Sequence, residues 1–416
     1  MPSPRAVRLL LALAAISFLG AGCWDRREID ELALVSTVAV DREKGQTVVT
    51  AEFFRPAALS QQTGSGAGVT MTGRQSHLAV GRGPTVFRAI EDIGVKLPRE
   101  VRWAHANNIL VGEEMARRGL RELLDFWDRD PEARRSTHLL LAWGPAGEIM
   151  RRAQSAFELD LGREIAGLEQ AAPQTGYGYI PTVHTVIEDL AGESRATFLP
   201  VLVLSPTNVP PPAVSGSGGG GGPRGAAEPA PPPVVLTARL YGTGLFLGDR
   251  LVGRLNPRQT RGLIWVLGAV REAVLTVSLG MGEQKIDVEV TRVRPRVEVK
   301  SEGGGFEGRI DLVGEGTLAA AQGGGGYLIG GRTISLLERK AAHAIRNEIV
   351  EALEAASAAG TDVFGFAGAL HRSDPRRWHE VEERWPEEFR RLPVEVGVRF
   401  KLRRTGLTGP GLSFGR

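Results

Sequence analysis

Apolar residues recur with a period of two at Ile286, Val288 and Val290, and again at Val394, Val396, Val398, Phe400 and Leu402, the pattern of strands with one buried face. Val297 and Val299 repeat it beyond a break expected at Pro295. Between these runs the period becomes helical. Ile334, Leu337, Ala341, Ala344, Ile345, Ile349, Ala352, Leu353 and Ala356 fall on one face, Ser335 and Glu338 have capping-box spacing, and Gly360 suits the C-terminal stop. Asp374-Pro375 starts a further helix carrying Trp378, Val381 and Trp385 along one side, and Pro386 opens another turn. With Phe389 these tryptophans read as core, while Glu380/Arg384 and Glu387/Arg391 are spaced for ion pairs on a solvated face.

Earlier in the chain, Leu34–Val40 and Thr47–Phe54 read as a hairpin across the polar turn Asp41–Gln46, and Gln61–Gly73 as a loop rich in Gly, Ser and Thr. Thr85 is placed to cap a helix whose inner face is Val86, Ala89, Ile90 and Ile93. Trp103–Val111 reads as a buried strand, Glu113–Trp127 as helix, Thr137–Trp143 as strand, Ala146–Ala172 as helix-rich and Phe198–Leu204 as strand. Strands followed by long helices predict an α+β fold: mixed antiparallel sheets with packed helices, in two to three subdomains, with a long helix near the C-terminus.

Two segments stand outside these patterns. Of the 29 residues Ser205–Pro233, 16 are Gly or Pro, too few apolar groups to offset the entropy of ordering, so this stretch reads as a disordered linker between 23–204 and 234–416. At the N-terminus, Arg5 and Arg8 precede the apolar run Leu9–Leu19, and Gly20, Ala21 and Gly22 stand directly before Cys23. This is a signal-peptide pattern over residues 1–22, too short for a membrane span. A thiol immediately after such small residues is where bacterial lipoproteins take a diacylglyceryl group and an N-acyl chain once cleavage frees the amine. The usual leucine three residues before the cysteine is replaced by Gly20, with Leu19 one further back. The bland alternative is a secreted protein whose cysteine lies beside the cleavage site by chance; Cys23 being the chain's only thiol favours lipid attachment.

Composition removes most chemistry. A single cysteine excludes an internal disulfide framework, a CxxC redox pair and a multi-thiolate zinc site. The net charge of +3 on 416 residues is a poor phosphate-binding footprint, so nucleic acid is not an expected partner; only six of the 51 basic residues are lysine, and the loss of Arg5 and Arg8 leaves +1. Gly242, Gly244 and Gly248 have the spacing GxGxxxG rather than a dinucleotide fingerprint, and Leu247–Arg250 reads as a hairpin turn. His379-Glu380 begins like a zincin motif, but Glu383 stands where the second histidine is needed. His105 and His138 sit at strand positions as expected core histidines, and no GxSxG elbow is present. No catalytic residue, metal site or cofactor is expected.

Four stretches together resemble the Ger(x)C family, the lipoprotein C subunit of nutrient germinant receptors in endospore-forming bacteria. They are Cys23-Trp24-Asp25-Arg26-Arg27-Glu28-Ile29 with Leu32–Asp41; Trp103-Ala104-His105 to Trp127-Asp128-Arg129-Asp130; Thr243-Gly244-Leu245-Phe246 to Leu251-Val252-Gly253 with Thr260-Arg261-Gly262-Leu263; and Asp362-Val363-Phe364-Gly365-Phe366 with His371-Arg372, Trp378 and Trp385. The resemblance implies a non-enzymatic subunit on the outer face of the spore inner membrane, beside integral-membrane A and B subunits, in a complex that answers nutrients by triggering germination. A different class, a solute-binding lipoprotein of a transporter, would show two similar α/β lobes joined by crossing strands.

Overall fold

The computed structural model describes residues 31–54, 76–154, 158, 160–206, 235–278, 285–302, 305–322 and 331–404. The signal pattern, Cys23, the loop at 61–73 and nearly all of the 205–233 segment lie outside them.

The first sheet begins as expected. β1 (Leu32–Glu43) and β2 (Gln46–Phe53) form an antiparallel hairpin, closed more tightly than the polar stretch indicated, because only Lys44 and Gly45, both at positive φ, make the turn. β3 (His77–Gly83) adds to β2, and α1 (Val86–Lys96) follows, with the Thr85 hydroxyl accepting from Arg88 N and Val86, Ala89, Ile90 and Ile93 buried. After the short β4 (Glu100–Arg102), Trp103–His105 form a 3₁₀ turn, and the strand expected from residue 103 starts only at 108, as β5 (Asn108–Gly112). The predicted helix 113–127 is two: α2 (Glu113–Arg118) and α3 (Arg121–Arg129). The break is pinned from outside, where Leu120 N donates to the Asp249 carbonyl at 2.7 Å and Arg121 N to its carboxylate at 3.2 Å.

β6 (His138–Ala142), α4 (Ala146–Arg152), α5 (Leu161–Thr175), α6 (Val183–Ala191) and β7 (Ala196–Pro206) complete the part before the Gly/Pro segment. β1, β5, β6 and β7 run parallel, with helices on both faces. Hence β5 and β6 read as unbroken apolar runs: Ile109, Val111, Leu139 and Leu141 face α1, α2, α3 and α6, while Leu110, Leu140 and Ala142 face α4 and α5.

The sheet then crosses residue 233. β8 (Leu236–Leu247) pairs antiparallel with β7, and β9 (Arg250–Leu255) with β8, giving the order β3-β2-β1-β5-β6-β7-β8-β9 with β4 beside β1. The Gly248-Asp249 turn between β8 and β9 is the expected hairpin. Next come α7 (Pro257–Leu267), β10 (Ala273–Ser278), β11 (Lys285–Glu302), β12 (Gly305–Gln322), α8 (Gly331–Ala359), α9 (Phe366–Ser373), α10 (Pro375–Val381), α11 (Trp385–Arg391) and β13 (Val394–Arg404). The second sheet has the order β10-β11-β12-β13. Pro295 does not break β11: the ladder with β10 ends at Val290, so the missing N–H falls where that edge has no strand partner. Ser335 lies inside α8 rather than at its start, and Glu338 instead accepts from Leu402 N at 3.1 Å. Gly360 closes α8 at φ +69° as expected.

The fold is α+β, with mixed sheets. The two sheets differ in strand number and direction, so the paired similar lobes of a solute-binding protein are not seen among the described residues. No described helix is long and apolar enough to cross a membrane.

Candidate functional site

The residues expected to act, Gly20, Ala21, Gly22 and Cys23, lie outside the described residues. Among the described ones, no group of three His, Cys, Asp or Glu side chains could hold a metal ion. His379 is exposed beside Glu382 at 3.5 Å. His105 is exposed on its 3₁₀ turn and not in the core, because the strand begins after it. His138 is half-buried, its Nε2 3.1 Å from Glu169. The ion pairs around α10 and α11 also differ from the expected ones: Arg377–Glu380, Arg384–Glu388 and Arg390–Glu387.

What the fold brings together is a set of buried carboxylates, each fastening elements that are distant in sequence. Asp362 follows α8 and is 2% exposed. Its Oδ1 accepts from the backbone N–H groups of Phe364, Gly365 and Phe366, and its Oδ2 from Ala367 N at 2.6 Å and Trp385 Nε1 at 3.1 Å. The carboxylate therefore caps α9 and ties it to α11. Burial raises Asp362 above the usual carboxylate value, against the lowering effect of these donors.

Glu348 on α8 is likewise 2% exposed. It pairs with Arg261 of α7 through both guanidinium edges, Nε at 2.8 Å and Nη2, and accepts from Trp265 Nε1 at 2.8 Å. Burial alone would lower the Arg261 pKa; the hydrogen bond and charge of Glu348 more than offset this and hold it above its ordinary value. The same guanidinium lies over the ring of Tyr177, 5.1 Å from its centroid, and donates to its hydroxyl at 3.1 Å, so the knot reaches the end of α5 in the earlier part of the chain. Gly262 makes this approach possible, since a Cβ there would stand 2.0 Å from the Glu348 carbonyl oxygen. Thr260 and Thr243 share a buried hydroxyl–hydroxyl hydrogen bond of 3.0 Å that joins α7 to β8.

Asp41 plays a comparable part on the first sheet, accepting from Ala146 N at 2.7 Å and Gly147 N at 2.8 Å at the start of α4. Asp160 caps α5 through Arg163 N, and Glu52 accepts from Ser76 Oγ at 2.6 Å. An open hollow of about 520 Å³ between α1 and α3 is lined by Phe87, Phe126, Glu122 and Asp125. Its acids are already engaged: Glu122 accepts from Val86 N at 2.6 Å, and Asp125 pairs with Arg129 at 2.7 Å. These contacts fix helix starts and join neighbouring elements. Sequence reading missed Glu348, although an acid at the helical spacing of Ile345, Ile349 and Ala352 was a visible signal.

The fold is thus a two-sheet α+β protein in which the buried carboxylates Asp41, Glu348 and Asp362 each join elements distant in sequence. Three of the stretches involved, Thr243–Phe246, Thr260–Leu263 and Asp362–Phe366, lie within a family match. The model for the spore germination protein N-terminal domain matches residues 25–204, and that for the spore germination B3/GerAC-like C-terminal domain matches residues 241–406. The chain belongs to this Ger(x)C family of spore germination proteins. It is 22% identical to spore germination protein KC of Bacillus subtilis (strain 168) over 413 residues, covering 97% of this chain and 95% of that protein. Spore germination protein B3 of the same organism is 22% identical over 396 residues, covering 93% and 95%. The crystal structure of the GerBC protein shares the fold at a TM-score of 0.51 and 18% identity, covering 88% of this chain and 96% of that one.

Proposed function

We propose that this protein is the lipid-anchored, non-enzymatic C subunit of a nutrient germinant receptor needed for spore germination. It is held through Cys23 on the outer face of the membrane, the spore inner membrane in the dormant spore, where it assembles with integral-membrane A and B subunits and needs no metal or cofactor. The observation that carries the reading is the pair of family matches, in order, spanning nearly all of residues 25–406. It is supported by the placement of the only cysteine directly after an apolar run and three small residues. Two acyl chains or more anchor stably, at about 0.8 kcal/mol per buried CH₂, so no spanning helix is required.

Cys23→Ala tests the tether in the native host. It is expected to abolish incorporation of labelled fatty acid and to release the protein from membranes; retention without detergent would place the anchor elsewhere. Deleting the gene should impair nutrient-triggered germination while a receptor-independent trigger still works. A normal nutrient response in a strain without a redundant paralogue would sink the receptor assignment.

A further inference from the structure

Among the described residues, the second sheet is packed on one face only. Val293, Val299, Ile310, Leu312, Val396 and Phe400 point into the core formed with α7, α8 and the C-terminal helices. The opposite face is a grid of charges in register. Across β11, β12 and β13 the rows are Arg292, Glu315 and Lys401; Arg294, Val313 and Arg399; and Arg296, Asp311 and Gly397; Lys300 is paired with Glu307 of β12. Across the outward positions of 292–300, 307–315 and 395–403 there are eight Lys or Arg and five Asp or Glu. This excess of three on one face contrasts with a chain that is almost neutral as a whole.

The acids are largely committed. Glu298 pairs with Arg296 at 2.5 Å, Asp311 with Arg309 at 2.8 Å, Glu395 with Arg309 at 3.0 Å, and Glu315 with Arg403 at 2.8 Å. Arg292, Arg294, Lys300 and Arg399 are exposed and have no carboxylate within ion-pair distance among the described residues. Strand geometry spreads these cations over an area about 27 Å long and 10 Å wide.

We propose that this face is an anionic-lipid docking surface, which lays the second sheet on a bilayer carrying phosphatidylglycerol-type headgroups. A broad face with cations dispersed among carboxylates suits ligands that diffuse to whatever spacing the arginines set. A polyanion of fixed spacing, such as an acidic polypeptide, would meet Asp311 and Glu315 as well as the arginines. The proposal rests on the tethered reading above, to which it adds a second, electrostatic membrane signal.

The test uses the unlipidated chain from Cys23 onward, which retains every described element, so its outcome is independent of whether Cys23 is acylated. Co-sedimentation with vesicles of phosphatidylcholine containing 30 mol% phosphatidylglycerol should show binding at low salt that is lost as salt is raised, and no binding to pure phosphatidylcholine. Each arginine near the surface changes partitioning about fivefold, so Arg292→Gln, Arg294→Gln and Arg399→Gln combined should weaken it about a hundredfold. Arg118→Gln, Arg121→Gln and Arg376→Gln, the same loss of charge elsewhere, should leave it within a few-fold, and matched unfolding midpoints establish that both triples are folded. No binding to the anionic vesicles, equal loss in the two triples, or retention on polyglutamate but not on vesicles would overturn the proposal. Loss of labelling or release in Cys23→Ala bears only on the tether.

Discussion

Asp362 shows what one buried residue does here. Five donors converge on its carboxylate, so Asp362→Asn removes the charge and turns an NH₂ group toward N–H groups that need an acceptor. The substitution is expected to cost about 3 kcal/mol in denaturant unfolding. It also has a pH signature. Because burial raises the folded pKa above the ordinary 3.8, the folded chain holds this proton more firmly than the unfolded chain. The stability contributed by Asp362 therefore falls as pH rises from 3.8 through the folded value, and returns on acidification. The cost of Asp362→Asn should accordingly be larger near pH 4 than at neutrality. A cost that shrinks on acidification would mean that the five donors, not burial, dominate. Little of this was legible beforehand: the sequence shows an acid before Val-Phe-Gly-Phe, but the fifth donor, Trp385, comes from 23 residues away.

Between elements, the α7–α8 contact depends on Glu348, Arg261 and Trp265 acting together. Arg261→Met leaves a buried carboxylate without its counter-charge and should cost about 3–5 kcal/mol. The double variant Arg261→Met, Glu348→Met removes both charges, and its cost in the same unfolding measurement should fall at least about 1 kcal/mol below the sum of the single costs. Strict additivity would show that the pair is not a unit. The elements themselves were largely readable. The apolar stripe of α8, the cap at Thr85 and the alternation of β13 are local patterns, and each is found where the spacing placed it, with Ala344 and Ile334 only half-buried. Where reading failed, the reason lies outside the segment: Asp249 fixes the break between α2 and α3, and the end of β10 decides that Pro295 is tolerated in β11.

At the scale of the whole molecule, the first sheet takes β8 and β9 from beyond the Gly/Pro segment, and the core around α8 includes Ala196 and Phe198 from before it. His371 of α9 meets Glu193 at 3.0 Å, a further link across the segment. A protease site introduced at residue 220 should therefore yield two fragments that co-elute in gel filtration and part only in denaturant. Separation in native buffer would mean that the two parts fold and stand alone.

By itself the sequence determined the periodic elements, the α+β class, the exclusion of chemistry that needs a second cysteine and, through four stretches of resemblance, the family, because periodicity and motifs are properties of neighbouring residues. Only the tertiary structure decided that the central strands of the first sheet run parallel, that this sheet spans the Gly/Pro segment, and that Asp41, Glu348 and Asp362 serve as buried fasteners. A carboxylate's role depends on which donors surround it once solvent is gone, and those donors come from elements that no local pattern connects.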